Sequence, residues 1–290
     1  MVWKVDMAEL SCGRALGLRT ITKRFRSVGY PEQVGLIGII LVTATALFAG
    51  QLTPFDPQAR VAAAYLSPSD EHWFGTDEIG RDLFSRVLLG LQYTWLPSVA
   101  FVIICLIFGT LIGLLPSLVS RSLDTVIQRI VDFFLVLPST LVALAVIATI
   151  GPGLINTMIA MSVAWWPWYA RISRDEFRRV NARPYIEAAR VAGVGRARLT
   201  FRYVLPGAIP ALIVAATLDV SNVIMTLSLI SFLGLGQPAP APELGAMTSR
   251  ALDSLTVFWW LPVLPAVAIF MICLLSNLSG DGLRAIMQGR

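Results

Sequence analysis

Charge is the scarcest property of this sequence. Only 14% of its 290 residues are Asp, Glu, Lys or Arg, against about 25% in soluble domains. Lysine occurs twice, at Lys4 and Lys23, and neither follows a Gly-x-x-x-x-Gly loop. The chain therefore lacks a phosphate cradle of the Walker type and is expected not to hydrolyse ATP by itself. A single histidine, His72, rules out a histidine-rich metal site, and neither a metal nor another cofactor is expected on this chain. The three cysteines, Cys12, Cys105 and Cys273, imply no disulfide framework. No nucleophile–base arrangement and no pair of catalytic carboxylates is visible, which weakens the case for a membrane enzyme and leaves no catalytic residue to name.

Uncharged runs are abundant instead. Thirty-eight consecutive residues, 133–170, carry no charge, and Gly151-Pro152-Gly153 sits at their centre. At 1.5 Å per residue this is about 57 Å of helix, against a hydrocarbon core of ~30 Å. The breaker divides it into 133–150 and 154–170, read as a transmembrane hairpin with a very short turn. Other uncharged windows cover 33–55, 87–120, 203–218, 220–242 and 254–280. Only Asp219 separates two of these, and one helix is read across it. In lipid, backbone polar groups are satisfied within helices. The expectation is an all-α integral membrane protein with six spans, near 34–50, 92–116, 132–150, 154–171, 208–233 and 257–278. They form one domain over 34–278, with an outer loop 51–91, a loop 172–206 and tails 1–33 and 279–290.

Placement explains the basic balance without a nucleic-acid partner. With the N-terminus cytoplasmic, nineteen Lys and Arg fall on the inner side, nine of them in 171–202. Four, Arg60, Arg81, Arg86 and Arg250, fall outside. The positive-inside rule then puts both termini in the cytoplasm. The first span has some thirty residues before it and no clear small-x-small site after it, so it is read as uncleaved. Five basic residues in 14–26 mix with Leu16, Leu18, Ile21 and Phe25. That segment reads equally as an interfacial helix on membrane lipid or as a solvated tail.

In the outer loop, Thr53-Pro54-Phe55-Asp56-Pro57 is turn chemistry. Ile79, Leu83, Phe84, Val87 and Leu88 share one helical face, which predicts an amphipathic helix leading into the second span, opened by Thr76 and Asp77 as caps. Gly109-x-x-x-Gly113 permits close helix approach. An acid at Asp219, near mid-membrane, costs on the order of 2.5–3.5 kcal/mol on insertion scales and so calls for a cavity or a partner. Two readings stay open. Asp219 lines a path and meets a substrate amine, or it bonds Ser221, Asn222 or a neighbouring helix. Asn222, Thr226 and Ser228 add the polar content of a water-lined pathway.

The connection 172–205 is long, since 2–8 residues are usual between bundle helices. Pro184 suits the first turn of a helix, and Glu187 its positive end. Ile186, Ala189 and Gly193 recur on one face, while Arg190, Arg196, Arg198 and Arg202 make the rest basic. Such a helix suits another protein's groove; the bland alternative is a basic loop on lipid headgroups. Glu187-Ala188-Ala189, then Gly193, then Leu205-Pro206 twelve residues on, resembles the EAA loop of ABC importer permeases. Tyr203 and Ala192 stand where that signature usually has Ile and Leu. His72-Trp73-Phe74-Gly75-Thr76-Asp77-x-x-Gly80-Arg81-Asp82, with Ser85-Arg86, is similar to a segment of the dipeptide, oligopeptide and nickel permeases. So are Ser231-Phe232-Leu233-Gly234-Leu235-Gly236 and the stretch from Asn277 to Arg284, although relatives often carry an acid where Leu227 stands here.

The resemblance, over roughly 34–286, implies a type I ABC importer permease in the bacterial plasma (inner) membrane. Its partners would be a second homologous permease, two ABC ATPase subunits that hold ATP and Mg, and an extracytoplasmic substrate-binding protein. Glu187, Ala188, Ala189, Gly193, Leu205 and Pro206 would couple to the ATPases. His72, Trp73, Asp77, Glu78 and Arg81 are expected at the face that receives the binding protein. Di- or oligopeptides are the expected cargo, with nickel chelates, glutathione or haem as alternatives. The rival class is an ion-coupled carrier with Asp219 as its proton site; its usual inverted repeats and broken helices are not evident in the sequence.

Overall fold

The computed structural model describes residues 28–118, 121–238 and 240–288. The segment 14–26, read as an interfacial helix or solvated tail, and Cys12 lie outside the described residues. Among these residues the chain is helical, and its only β feature is an isolated bridge between Thr76 and Asp82. In order come α1 (Tyr30–Leu47), α2 (Ala49–Leu52), α3 (Leu83–Leu118), α4 (Arg121–Val136), α5 (Ser139–Ile150), α6 (Leu154–Asn181), α7 (Pro184–Val191), α8 (Arg196–Leu199), α9 (Leu205–Phe232), α10 (Leu244–Arg250) and α11 (Trp260–Gln288).

Helices lie over all six stretches read as spans, with shifted ends, but the third stretch holds two helices rather than one. Among the described residues, four helical stretches are long and apolar enough to cross a membrane as they stand: Tyr30–Leu47, Leu83–Pro116, Arg196–Phe232 and Trp260–Met287. The third helix is not the single rod expected over 132–150. It breaks between α4 and α5 with a bend of 85°. The cause is Leu137-Pro138: a residue before proline is pushed out of the helical region, and the proline offers no amide proton. Pro138 then stands as the N-cap of α5 in an extended conformation. At 12 residues, α5 alone is about 18 Å long, too short to cross. The fourth helix of the reading, α6, runs beyond its uncharged half into the basic stretch 171–181.

Ion pairs bind α4 to α6. The Asp124 carboxylate accepts from Arg174 Nε and Nη2, both at 2.6 Å, and from Arg178 Nη2 at 2.9 Å, while Asp132 pairs with Arg171. Tight backbone contact binds α3 to α6. A Cβ on Gly113 would lie 2.7 Å from the carbonyl oxygen of Ala170, and one on Gly109 would collide with Tyr169. The paired glycines of α3 thus let the two backbones touch.

The main apolar core joins α3, α5, α6, α9, α10 and α11 around Trp95, Tyr169, Ile224, Leu227 and Leu261. A second cluster gathers Leu114 of α3, Phe177 and Val180 of α6, Ile186 of α7, and Leu199, Val204, Ala208 and Leu212. Between α8 and α9 the chain winds as one π turn, Thr200–Val204. It precedes Pro206 and Pro210, which remove two amide donors from the start of α9.

The amphipathic helix expected from Ile79 onward starts later, at Leu83. Asp77 Oδ1 accepts from the amides of Ile79 (3.0 Å) and Arg81 (2.9 Å), which folds 77–81 into a turn. Asp82 is the cap, its Oδ2 accepting from the Ser85 amide at 2.8 Å. Thr76 serves the loop instead, donating to the Ala63 carbonyl at 2.7 Å.

Candidate functional site

Three regions carry the residues singled out by sequence. The first is α7. Pro184 sits in its first turn and Glu187 near its positive end. Ile186 is fully buried and Ala189 partly buried, both packed on the second apolar cluster of this same chain. Ile186 and Ala189 of the periodic face are therefore turned inward, whereas Gly193, its third member, is exposed. What α7 presents outward is Glu187, Ala188, Arg190 and Val191, the last 86% exposed. Gly193 ends the helix at φ +79°. The Val194 amide donates to Ala189 and the Gly193 amide to Arg190, both at 3.1 Å, which is a Schellman cap. No atom lies within 4 Å of where a Cβ on Gly193 would point. Leu205 packs beside the same cluster, and Pro206 is exposed in the first turn of α9.

The second region surrounds Asp219 on α9, which is 4% exposed. Its Oδ2 accepts from Trp165 Nε1 and from the Tyr169 hydroxyl, each at 2.8 Å, and its Oδ1 from the Asn222 amide at 3.3 Å. The structural reading of Asp219 is what these bonds show, with partners on α6 and at Asn222, and the same residue borders a cavity of about 300 Å³. Leu137, Ser139, Trp165, Trp168 and Asn222 also line that cavity, so the bend between α4 and α5 forms one wall. Thr226 and Ser228 do not join them. The Thr226 hydroxyl donates to the Asn222 carbonyl at 2.9 Å, and Ser228 is buried against Gly245 of α10. Trp165 and Tyr169 escaped sequence reasoning. Their signal was an i, i+4 pair of aromatics with polar tips in an uncharged run.

The third region is the loop 53–82 with the start of α3. His72, Asp77 and Arg81 are buried, whereas Trp73 and Glu78 are exposed. His72 Nδ1 lies 2.9 Å from Asp82 Oδ1. Asp77 Oδ2 pairs with Arg81 Nε at 2.5 Å and with Arg86 Nε at 3.4 Å. Arg86, fully enclosed, donates to the carbonyls of Pro57 (3.0 Å) and Pro240 (3.4 Å), and so ties the loop to the segment before α10. In that segment Glu243 caps α10, accepting from Gly245 (3.0 Å) and Ala246 (2.9 Å). Burial pushes the Glu243 carboxyl above its usual range, and the two amide bonds partly offset this. Among the described residues, no three His, Cys, Asp or Glu side chains form a group able to hold a metal ion.

Residues 105–290 match the model of the family described as binding-protein-dependent transport system inner membrane component. The chain belongs to this family. It is an ABC importer permease, all-α and integral to the inner membrane, of the dipeptide, oligopeptide and nickel group. The di/tripeptide transport system permease protein of Pseudomonas aeruginosa is 40% identical over 257 residues, covering 86% of this chain and 85% of that one. The probable D,D-dipeptide transport system permease protein of Escherichia coli is 37% identical, covering 86% and 84%. The nickel transport system permease protein of Escherichia coli is 33% identical, covering 90% and 94%. Membership in a binding-protein-dependent family sets aside the ion-coupled carrier, even though the permease does contain the broken helix that the sequence did not show.

Proposed function

We propose that this permease forms half of the pathway of an ATP-driven importer of di- and oligopeptides. It would pair with a second homologous permease, two ATPase subunits and an extracytoplasmic binding protein. The observation that carries the cargo is the 40% identity to a di/tripeptide permease across 86% of the chain. Both termini lie in the cytoplasm in this reading, which the basic residues support. The connection 172–206 is then cytoplasmic, and the outward face of α7, with Glu187, Ala188 and Val191, meets the ATPase. Ala189 supports that face from behind, Gly193 ends it, and Leu205 and Pro206 join it to α9. ATP-driven closure of the ATPases would move α7 with the cluster beneath it, as a rigid-body switch.

On the opposite side, exposed Trp73 and Glu78 contact the binding protein, while His72, Asp77 and Arg81 hold the loop that presents them. Asp219 and Asn222 border the pathway, with Thr226 one turn further along α9 and Ser228 behind it. ATP and Mg reside on the ATPase subunits, and this chain performs no hydrolysis.

The test is reconstitution of the full complex in vesicles. Labelled dialanine is expected to accumulate with ATP and binding protein, whereas a nickel chelate or glutathione is not. Accumulation of either alternative in place of dialanine would overturn the cargo. Glu187→Ala removes an exposed side chain near a helix start, worth about 0.3–1 kcal/mol to folding through the helix dipole. The variant complex is expected to assemble and hydrolyse ATP with little uptake. Uptake at the wild-type rate would refute the coupling role of α7.

A further inference from the structure

The cavity beside Asp219 sets a carboxyl group among aromatic side chains with no basic residue in its lining, and we infer that it is a binding subsite for an organic ammonium group, the positively charged end of the cargo. The inference rests on the reading of this chain as a peptide permease only for what carries that ammonium.

Four observations lead to it. The Asp219 carboxylate is nearly enclosed, and its three hydrogen-bond donors, Trp165, Tyr169 and Asn222, are all neutral. No Lys or Arg lines the cavity, so nothing there balances the charge. Oδ2 is occupied by two short bonds, whereas Oδ1 has one long bond and keeps accepting capacity. Finally, Trp165 and Trp168 both border the space. Among aromatic rings, the indole face attracts organic cations most strongly.

Other ligand classes fit less well. A bare metal ion needs several oxygen, nitrogen or sulfur ligands, and no such group exists among the described residues. An anion would meet the carboxylate with no cation to offset it. A neutral apolar ligand would leave the remaining accepting capacity of Oδ1 without a donor. A primary ammonium satisfies both parts, donating to Oδ1 while its charge rests against the indoles. The buried bonds from Trp165 and Tyr169 fix the carboxylate before the ligand arrives, so little ordering is left to pay on binding.

Ser139 borders the same cavity and supplies a reporter. In the assembled complex, Ser139→Cys is labelled with a maleimide, with the signal of the chain's own cysteines subtracted. Two probes are compared in millimolar excess, alanyl-alanine amide and its N-acetyl form, in which a neutral and slightly larger amide replaces the ammonium. The free amine is expected to slow labelling about tenfold, the acetylated form hardly at all, a difference within reach of one charge pair plus cation–π contact. Asp219→Asn should abolish the protection, and Asp219→Glu should retain part of it. If Asp219→Asn does not assemble, Trp168→Leu removes an aromatic wall without touching the buried acid and should weaken protection several-fold. Equal protection by both probes, or none by either, overturns the inference. Protection that survives both Asp219→Asn and Trp168→Leu does so too. Uptake separates the two proposals. Ammonium-dependent protection without dialanine transport would refute the cargo and keep the subsite, and transport without protection would do the reverse.

Discussion

At φ +79°, Gly193 holds a conformation that costs an ordinary L-residue roughly 1–2 kcal/mol. A side chain there would meet open space within this chain. The requirement at 193 is thus one of backbone conformation, and it suggests a discriminating pair of substitutions. Gly193→Val should fray the end of α7 and lower uptake relative to ATP hydrolysis. Gly193→Asn, which tolerates the left-handed region, should keep most of the coupling. The ratio of peptide taken up to ATP hydrolysed in vesicles is the measurement. Equal loss in both variants would mean that a partner's surface, rather than the cap, excludes a side chain. The sequence revealed Ile186 and Ala189 as one face of a helix but not which way it turns, because periodicity says nothing about what covers a face. Asp219 shows the same divide. A buried acid announces that it needs partners, yet Trp165 and Tyr169 lie some fifty residues away along the chain and meet it only through helix packing.

Helices in this permease touch through their smallest residues. On α3, Gly113 leaves no room for a Cβ against the backbone of α6, and backbone cannot move aside as a flexible side chain would. Gly113→Val should push α6 outward and cost about 1–3 kcal/mol of stability through overpacking. Because Tyr169 rides on α6, the hydrogen bond to Asp219 should be strained as well. Gly50→Val is the control, since nothing lies near that position. Thermal unfolding of the purified complex should show a lower midpoint for the first variant and an unchanged one for the second. Identical midpoints would show that the α3–α6 contact contributes nothing. At this scale the glycine spacing was legible, and so was the Gly-Pro-Gly turn between α5 and α6. The break at Leu137-Pro138 was not, because an uncharged run looks the same whether it is straight or bent, and proline is tolerated inside several other helices here. The loop before α3 was legible as a motif, while its inward-facing charges became clear only once Arg86 was seen to bond Pro57 and Pro240.

For the whole molecule, the expected N-in arrangement can be checked from two exposed positions. Gln58→Cys should react with an impermeant thiol reagent from outside, and Arg196→Cys only after the membrane is opened. Reaction of Arg196→Cys from outside would invert the topology. Glu243, in the segment before α10, is fully buried as a helix cap and is unfit for such a probe.

The helix α3 connects two regions treated separately so far. Its first turn is clamped by Asp82 and Arg86 within the loop, and Leu114 near its other end shares a cluster with Ile186 of α7. Thirty-six residues make a rod of about 54 Å. A rod of that length is a lever. One degree of tilt at the α7 end sweeps the far end through roughly 1 Å, so a few degrees would displace Arg86 farther than its hydrogen bonds can stretch. Movement at one face of the membrane must then either carry the loop and the α10 cap along or break their bonds to Arg86.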